Sequence, residues 1–226
     1  MESLLLIQFG KPLNPLIKMH KGVIFDMDGL MFDTERLSSR MWHEILKKYK
    51  LPINEEFIIA IRGLNFESSK NIFHKYYQSD IDFKILKDQK NQMVFDYIMS
   101  HGIPVKEGLY ELLDFLKDNK IKVALATSSS KAVANKYLEH AGVDSYFNAK
   151  VFGDEVSKGK PNPEIFLKAL DKLRLKKEEV VILEDSENGI NAAINAGIEA
   201  FWIPDGIYFE TSAKEFKSLK EVIKEI

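Results

Sequence analysis

Short runs of apolar residues recur along the chain and are separated by stretches long enough for helices. The runs are nearly continuous, which is typical of parallel strands that are covered on both faces. The predicted strands are Val23–Phe25, Ile121–Ala126, Val151–Phe152, Val180–Leu183 and Ala200–Ile203. The pattern therefore predicts an α/β fold with a doubly wound, mostly parallel sheet.

Amphipathic segments with helical periodicity lie between the later runs. These segments are Gly108–Asn119, Lys131–Ala141, Pro163–Leu173 and Ser186–Ala196. Glycines follow two of the segments and a proline opens a third, as is common at helix ends. Strands and helices therefore alternate over the second half of the chain.

One long insert interrupts this alternation. Between the first strand and residue 103, about four segments have helical periodicity and none resembles a strand. This predicts a helical-bundle cap at residues 34–103, inserted into an α/β core formed by residues 19–33 and 104–226. Residues 1–18 precede Met19 and are expected to be an extension outside the fold. Their apolar run LLLIQF leaves an extra edge strand as the alternative.

Composition narrows the possible function. Of the 226 residues, 45% are hydrophobic, which is enough for a folded core, and the formal net charge is only −2. Without a basic surplus, nucleic acid is not an expected partner, and no membrane association is expected either. The chain has no cysteine, which excludes disulfides, thiolate metal sites and a cysteine nucleophile. We expect a cytoplasmic protein, with a monomer favoured.

Polar residues with catalytic potential follow the predicted strands. In parallel sheets, ligands bind beyond the carboxyl ends of the strands. Asp26 and Asp28 follow the first strand, Thr127 follows the second, and Glu184 with Asp185 follows the fourth. Lys160 precedes the third long helical segment in the loop SKGKPNP.

Each of these residues also has an ordinary structural explanation. Aspartates are common in turns, Ser129, Ser130 or Ser186 could cap the helix that follows, and a lysine before a proline is usually solvated. The combination favours function, because three separate strands each end in oxygen-bearing side chains and the acids come in pairs.

Phosphoryl transfer is the chemistry that such a set serves best. Carboxylates on one face suit Mg²⁺, and the cation would allow Asp26 to approach a phosphate and attack it. Thr127 and backbone N–H groups would hold the phosphoryl oxygens, and Lys160 would offset the developing charge. Asp28 would protonate the leaving alkoxide and then activate water.

Four segments of the sequence resemble the motifs of the haloacid-dehalogenase-like hydrolases. They are FDMDG, ALATSSS, GKPNPEIF and LEDSENGINAAINAG, and the resemblance covers residues 21–205. The helical insert is similar to the cap of the subgroup containing beta-phosphoglucomutase and small sugar-phosphate phosphatases. This resemblance implies a Rossmann-like core and an aspartyl-phosphate intermediate.

The resemblance also implies individual roles. Asp26 matches the nucleophile, Asp28 the acid/base, and Thr127 and Lys160 the phosphate-binding residues. The implied Mg²⁺ ligands are Asp26, the backbone carbonyl of Asp28 and Asp185, with Glu184 either a ligand or a residue behind the ligands. Asp28 is typically absent from relatives that cleave carbon–halogen bonds, which favours phosphate chemistry in this chain.

Substrate choice is expected to come from the cap. Similar phosphomutases carry an arginine three residues after a glycine that matches Gly63, whereas this chain has Phe66 there. We expect Phe66 to lie in a loop facing the site and to offer an apolar surface without charge. The other candidate substrate contacts are Glu35, Arg62, Asn65, Ser128 and Ser129.

These observations predict a Mg²⁺-dependent phosphatase for a sugar phosphate or a nucleoside-like monophosphate. A sugar phosphomutase is the first alternative. A phospho-accepting receiver module is a remote alternative, because its acceptor aspartate lies on the third strand and it has no cap. A binding protein with an inactive site also stays open, although the intact motif residues argue against it.

Overall fold

Parallel strands form one sheet at the centre of the protein. The computed structural model describes residues 20–226 except Gly63 and Asn65, so the predicted extension at 1–18 lies outside the described residues. The strands are β1 (Gly22–Phe25), β2 (Lys122–Ala126), β3 (Ala149–Val151), β4 (Val180–Glu184), β5 (Glu199–Trp202) and β6 (Lys214–Glu215). Their spatial order is β3-β2-β1-β4-β5-β6, and every neighbouring pair is parallel. This confirms the predicted α/β architecture.

The register of the central strands determines where the site forms. Phe25, the last residue of β1, lies beside Leu125 of β2 and Leu183 of β4. The residues that follow these three strands therefore emerge at the same edge of the sheet. Both β1 and β4 are buried along their whole length, which explains their continuous apolar sequences.

Four helices lie between β1 and the rest of the core, as predicted for the insert. They are α1 (Thr34–Lys48), α2 (Glu55–Ala60), α3 (Phe66–Tyr76) and α4 (Phe83–His101). They have their own apolar cluster, rich in aromatic rings, in which Trp42 stacks on Phe83 with 5.8 Å between ring centroids. The division of the chain into a cap at 34–103 and a core remains a proposal that this separate cluster supports.

The core helices cover both faces of the sheet. They are α5 (Leu109–Asp118), α6 (Lys131–Ala141), α7 (Glu164–Leu173), α8 (Glu187–Ala196) and α9 (Leu219–Val222). Apolar residues of α5, α6 and α9 pack on one face, and those of α7 and α8 pack on the other. No helix in the described part of the chain is long and apolar enough to cross a membrane.

Two departures from the sequence expectations lie at the edges of the sheet. β3 begins at Ala149, two residues before the predicted Val151–Phe152, because half-buried Lys150 interrupts the apolar run that marks a strand. The short elements β6 and α9 were not predicted. β6 spans two exposed residues at the far edge of the sheet, so it carries no apolar run.

Candidate active site

A cavity of about 730 Å³ lies between the carboxyl edge of the sheet and the helical insert. Its size suits a small organic ligand. The lining includes Asp26, Asp28, Lys160 and Asp185 from the core, and polar residues of α1 and α4 from the insert. Of the residues that sequence analysis selected at strand ends, Asp26, Asp28 and Asp185 line this cavity, whereas Thr127 and Glu184 are buried behind its wall.

Asp26 and Lys160 form the centre of the site. Asp26 follows β1 and is only 7% exposed. The Lys160 ammonium donates hydrogen bonds of 2.5 Å to Asp26 Oδ1 and of 2.5 Å to Glu184 Oε1. Its side chain is 6% exposed, and the ammonium lies 4.8 Å from the ring centroid of Phe166 on α7. A loop lysine is thus buried between two carboxylates.

The carboxylates of this group are in an environment that disfavours their charge. Burial is the largest cause and raises the pKa of Asp26 to about 7, with Lys160 opposing the shift and Glu184 adding to it. Burial also raises the pKa of Asp185 well above its usual range, and the charges of Glu184 and Asp26 add to this effect. Burial by itself would lower the pKa of Lys160, but the two neighbouring carboxylates outweigh it and the net shift is upward. The single positive charge of Lys160 therefore does not balance the charges of Asp26, Glu184 and Asp185.

Glu184 has a supporting position beneath the start of α8. Its Oε2 accepts hydrogen bonds of 2.9 Å from the backbone N–H groups of Asp185 and Ser186, and one of 3.0 Å from the Ser186 hydroxyl. A Cβ atom at Gly189 would lie 1.7 Å from Glu184 Oε1, so only glycine leaves room for the carboxylate. Because both oxygens of Glu184 already have partners, its geometry favours positioning over direct metal ligation.

The acidic group fits a divalent cation. One carboxylate oxygen from each of Asp26, Glu184 and Asp185 lies within 4.8 Å of the others. Gly29 has φ +88°, and a Cβ there would lie 2.1 Å from Asp185 Oδ2, so this glycine lets Asp185 approach the β1 loop. Carboxylate oxygens are the donors that hard cations such as Mg²⁺ and Ca²⁺ prefer.

Asp28 is held by hydroxyl groups from two different elements. Its Oδ1 accepts a hydrogen bond of 2.9 Å from Thr34 on α1, and its Oδ2 accepts one of 2.8 Å from Ser129. Asp28 is half-buried and lines the cavity, so its carboxyl group lies at the boundary between core and insert.

The segment after β2 divides into buried and accessible residues. Thr127 is fully buried, and its Oγ1 accepts a hydrogen bond of 3.0 Å from the Ser129 N–H. Ser128 and Ser129 line the cavity directly. The two serines thus form part of the cavity wall, and Thr127 lies behind them at the base of their turn.

The candidate residues from the insert are only partly placed as expected. Glu35 and Arg62 line the cavity, whereas Asn65 lies outside the described residues. The expectation for Phe66 was wrong in its geometry. Phe66 is the first residue of α3, it packs on Phe83 at 5.7 Å between ring centroids, and it is not part of the cavity lining. Contact with the aromatic cluster of the insert determines this orientation.

Sequence analysis missed two lysines of α4 that line the cavity, Lys87 and Lys90. A signal for Lys90 was present, because it falls on the apolar stripe of its helix. The buried residues of α4 are Phe83, Leu86, Lys90, Val94 and Ile98. A lysine at the centre of such a stripe is rarely buried without a purpose.

A parallel sheet with a buried Asp–Lys–Glu–Asp group at its carboxyl edge, covered by a helical insert, defines an α/β enzyme built for phosphoryl transfer. The chain belongs to the haloacid dehalogenase-like hydrolase family, whose sequence profile matches residues 23–203.

Two curated relatives and one solved structure illustrate this similarity. A phosphorylated carbohydrates phosphatase of Thermotoga maritima is 35% identical, over 80% of this chain and 84% of the relative. The beta-phosphoglucomutase of Bacillus subtilis is 31% identical, over 82% of this chain and 84% of the relative. The crystal structure of CbbY from Rhodobacter sphaeroides shares the fold with a TM-score of 0.77 at 24% identity, covering 90% of this chain and 96% of that one.

Proposed function

We propose that this protein is a Mg²⁺-dependent phosphoric monoester hydrolase for a small phosphorylated metabolite, such as a sugar phosphate or a nucleoside-like monophosphate. The observation that carries the proposal is the buried Asp26 carboxylate. It lies within hydrogen-bonding distance of Lys160 and beside Asp185, at the base of a cavity large enough for such an ester. The lack of cysteine is compatible with a location in the reducing cytosol.

Asp26 acts as the nucleophile in this proposal. One of its carboxylate oxygens attacks phosphorus, the bond between phosphorus and the ester oxygen breaks, and an aspartyl phosphate forms on Asp26. Lys160 offsets negative charge beside Asp26, and the hydroxyl and N–H groups of Ser128 and Ser129 are available to phosphoryl oxygens. Asp26 and Asp185 would hold the cation, with Glu184 behind them. When bound, Mg²⁺ would reduce the repulsion between the carboxylates and the phosphate.

Asp28 moves the proton in both halves of the reaction. It first donates a proton to the alkoxide that leaves phosphorus. It then accepts a proton from the water that cleaves the aspartyl phosphate, which regenerates Asp26. The hydroxyls of Thr34 and Ser129 keep this carboxyl group at the cavity wall.

Phosphate release from p-nitrophenyl phosphate tests the proposal. We expect turnover with Mg²⁺, none in excess chelator, and recovery when Mg²⁺ is restored. Asp26→Asn should reduce turnover by at least about 10³-fold, because the amide cannot form the covalent intermediate. Full activity in chelator, or near-normal turnover of Asp26→Asn, would contradict the assignment.

A sugar phosphomutase is the second candidate, and the similarity to beta-phosphoglucomutase favours keeping it. A mutase returns the phosphoryl group to a sugar instead of to water. Sugar 1-phosphate isomerisation that requires a catalytic amount of sugar bisphosphate would identify it. Release of inorganic phosphate in proportion to substrate consumed supports the hydrolase.

A further inference from the structure

Backbone pairing between β4 and β5 ends one residue before the carboxylate that would hold a cation. Trp202 of β5 lies beside Glu184, and the N–H of Ile203 donates a hydrogen bond of 2.8 Å to the Glu184 carbonyl. Asp185 follows β4 and precedes α8, and within the described part of the chain no backbone N–H donates to its carbonyl. The ladder therefore fixes the carbonyl of Glu184 but does not reach that of Asp185.

A side chain makes this last connection. The indole Nε1–H of Trp202 donates a hydrogen bond of 3.0 Å to the carbonyl oxygen of Asp185, and both residues are buried. The N–H of Asp185 donates one of 2.9 Å to Glu184 Oε2. The peptide groups before and after Asp185 are therefore both held by hydrogen bonds, which limits how its carboxylate can turn.

Two aromatic rings from the segment after β5 pack on this indole. The ring of Phe209 lies 4.5 Å from that of Trp202 between centroids, and the ring of Tyr208 makes an edge-on contact at 5.7 Å. Phe209 lines the cavity whereas Trp202 does not, so Phe209 separates the indole from the cavity. These rings restrict the indole to the orientation in which its N–H meets Asp185.

A fixed peptide at Asp185 favours cation binding. Asp185 contributes one of three carboxylate oxygens that lie within 4.8 Å of one another, the others coming from Asp26 and Glu184. Like charges at this separation repel, so a carboxylate that could turn freely would move away from the other two before a cation binds. Restricting this freedom in advance lowers the cost of assembling the ligands around the ion.

We propose that Trp202 is a positioning residue for the cation site. Its indole N–H extends the pairing of β4 and β5 by one residue and holds Asp185 beside Asp26, while Phe209 and Tyr208 hold the indole. The inference rests on the proposed function only in requiring that a divalent cation binds at Asp26 and Asp185. It concerns residues of the core and is independent of which ester the protein hydrolyses.

Binding of Mn²⁺ in the absence of substrate tests this role. Mn²⁺ accepts the same kind of oxygen ligands as Mg²⁺, and EPR spectroscopy measures the free ion directly. Trp202→Phe retains a buried ring but removes the donor. We expect its Kd for Mn²⁺ to rise about tenfold, at the lower end of the effect of groups that orient metal ligands, because the Ser186 N–H still joins the same peptide to Glu184.

Two further variants separate positioning from general stability. Phe201→Leu changes a similarly buried ring of the same strand that packs on the opposite face of the sheet. It should lower the Tm but leave the Kd for Mn²⁺ within about twofold of the wild-type value. Phe209→Leu retains the indole donor but loosens its packing, so the Kd should rise about threefold.

The dependence of turnover on Mg²⁺ provides a second readout. Because binding of the cation itself aligns the carboxylates, Trp202→Phe should regain at least about half of the wild-type kcat at saturating Mg²⁺. It should need about tenfold more Mg²⁺ to reach half of its maximal rate. A kcat that stays low at saturating Mg²⁺, with an unchanged Kd for Mn²⁺, would show that Trp202 supports the fold and not the cation site.

Other results would also overturn the inference. Equal Kd values for Mn²⁺ in the wild type and Trp202→Phe would refute it and leave the hydrolase function intact. An equally large rise in Phe201→Leu would refute it too, because destabilisation of β5 would explain both changes. If Mn²⁺ bound with the expected ratios but no phosphate ester was hydrolysed, the hydrolase function would fail and the role of Trp202 would stand. If the wild type bound no Mn²⁺, both the cation site and this role would be refuted.

Discussion

Replacing the nucleophile should stabilise the metal-free protein even though it abolishes catalysis. Asp26 is buried beside Glu184 and Asp185, and this environment raises its pKa from 3.8 to about 7. An acidic group whose pKa is higher in the folded state than in the unfolded state lowers the stability of the fold once it ionises. Asp26→Asn retains the shape of the neutral acid and removes that cost, so we expect a higher free energy of unfolding without Mg²⁺.

The magnitude follows from the pKa change. The difference between 3.8 and about 7 corresponds to about 4 kcal/mol at neutral pH. The shift already includes the attraction to Lys160, and the figure is an upper limit because the amide NH₂ group adds a donor beside the Lys160 ammonium. We therefore expect a gain of about 1–3 kcal/mol, or about 3–10 °C in Tm for a chain of this size.

The dependence on pH distinguishes this cause from a packing effect. Below about pH 4 the acid is protonated in both the folded and the unfolded states, so the variant gains nothing. The advantage grows between pH 4 and 7 and is constant above 7. Denaturant unfolding in chelator at pH 5, 6, 7 and 8 should therefore show a gap between variant and wild type that widens with pH.

Two comparisons complete the test. Asp171→Asn changes an exposed aspartate on α7 and should show no such trend. Excess Mg²⁺ should stabilise the wild type more than Asp26→Asn, because the variant lacks one carboxylate ligand. A metal-free Asp26→Asn that is less stable than the wild type at pH 8, or a gap independent of pH, would show that ionisation of a buried Asp26 does not limit the stability of the protein.

Three further substitutions test other parts of the site. Asp28→Asn should lower kcat/KM for a sugar phosphate by about 10²-fold or more, but should lower kcat/KM for p-nitrophenyl phosphate only a few-fold, because a good leaving group needs no proton. Equal losses on both substrates would argue against acid catalysis by Asp28. Phe66→Ala should lower the free energy of unfolding by about 1–3 kcal/mol in a denaturant titration, because the ring packs against the aromatic cluster of the insert. An unchanged denaturation midpoint would contradict that packing. Gly189→Ala should displace Glu184 and reduce Mg²⁺-dependent activity at least about tenfold, whereas Gly159→Ala, with open space around it, should retain activity.

The core of the site was predictable because strand order and register determine it. Continuous apolar runs indicated β1 and β4, and residues that follow parallel strands must meet at one edge. Asp26 and Asp185 therefore converge whatever the details of the loops. Lys160 is different, because its loop lies 134 residues after Asp26 along the chain and no periodic pattern aims it inward. The chemistry of phosphoryl transfer suggested a role for it, and the family resemblance matched it to a motif position.

The side of the cavity that belongs to the insert was less predictable, since its residues are arranged by packing within the insert. Phe66 follows a glycine and an asparagine, a local pattern typical of a loop, yet it begins α3 because its ring contacts Phe83. Lys87 lies among polar residues typical of a solvated helix face, whereas Lys90 falls on the apolar stripe of α4. Which face of α4 meets the cavity depends on how four helices pack together, and the sequence of one helix does not contain that information.

The two sides of the cavity balance their charges differently, and this difference separates chemistry from substrate choice. On the core side, Lys160 joins Asp26 to Glu184, so removing the lysine leaves two buried carboxylates without a compensating charge. On the cap side, hydroxyls and a ring hold the cations, so exchanging one of them leaves no partner unpaired. Substitutions on the cap side therefore carry a smaller energetic penalty. We therefore expect the core to keep its reaction when residues on the cap side such as Arg62 are exchanged, and the choice of ester to change instead.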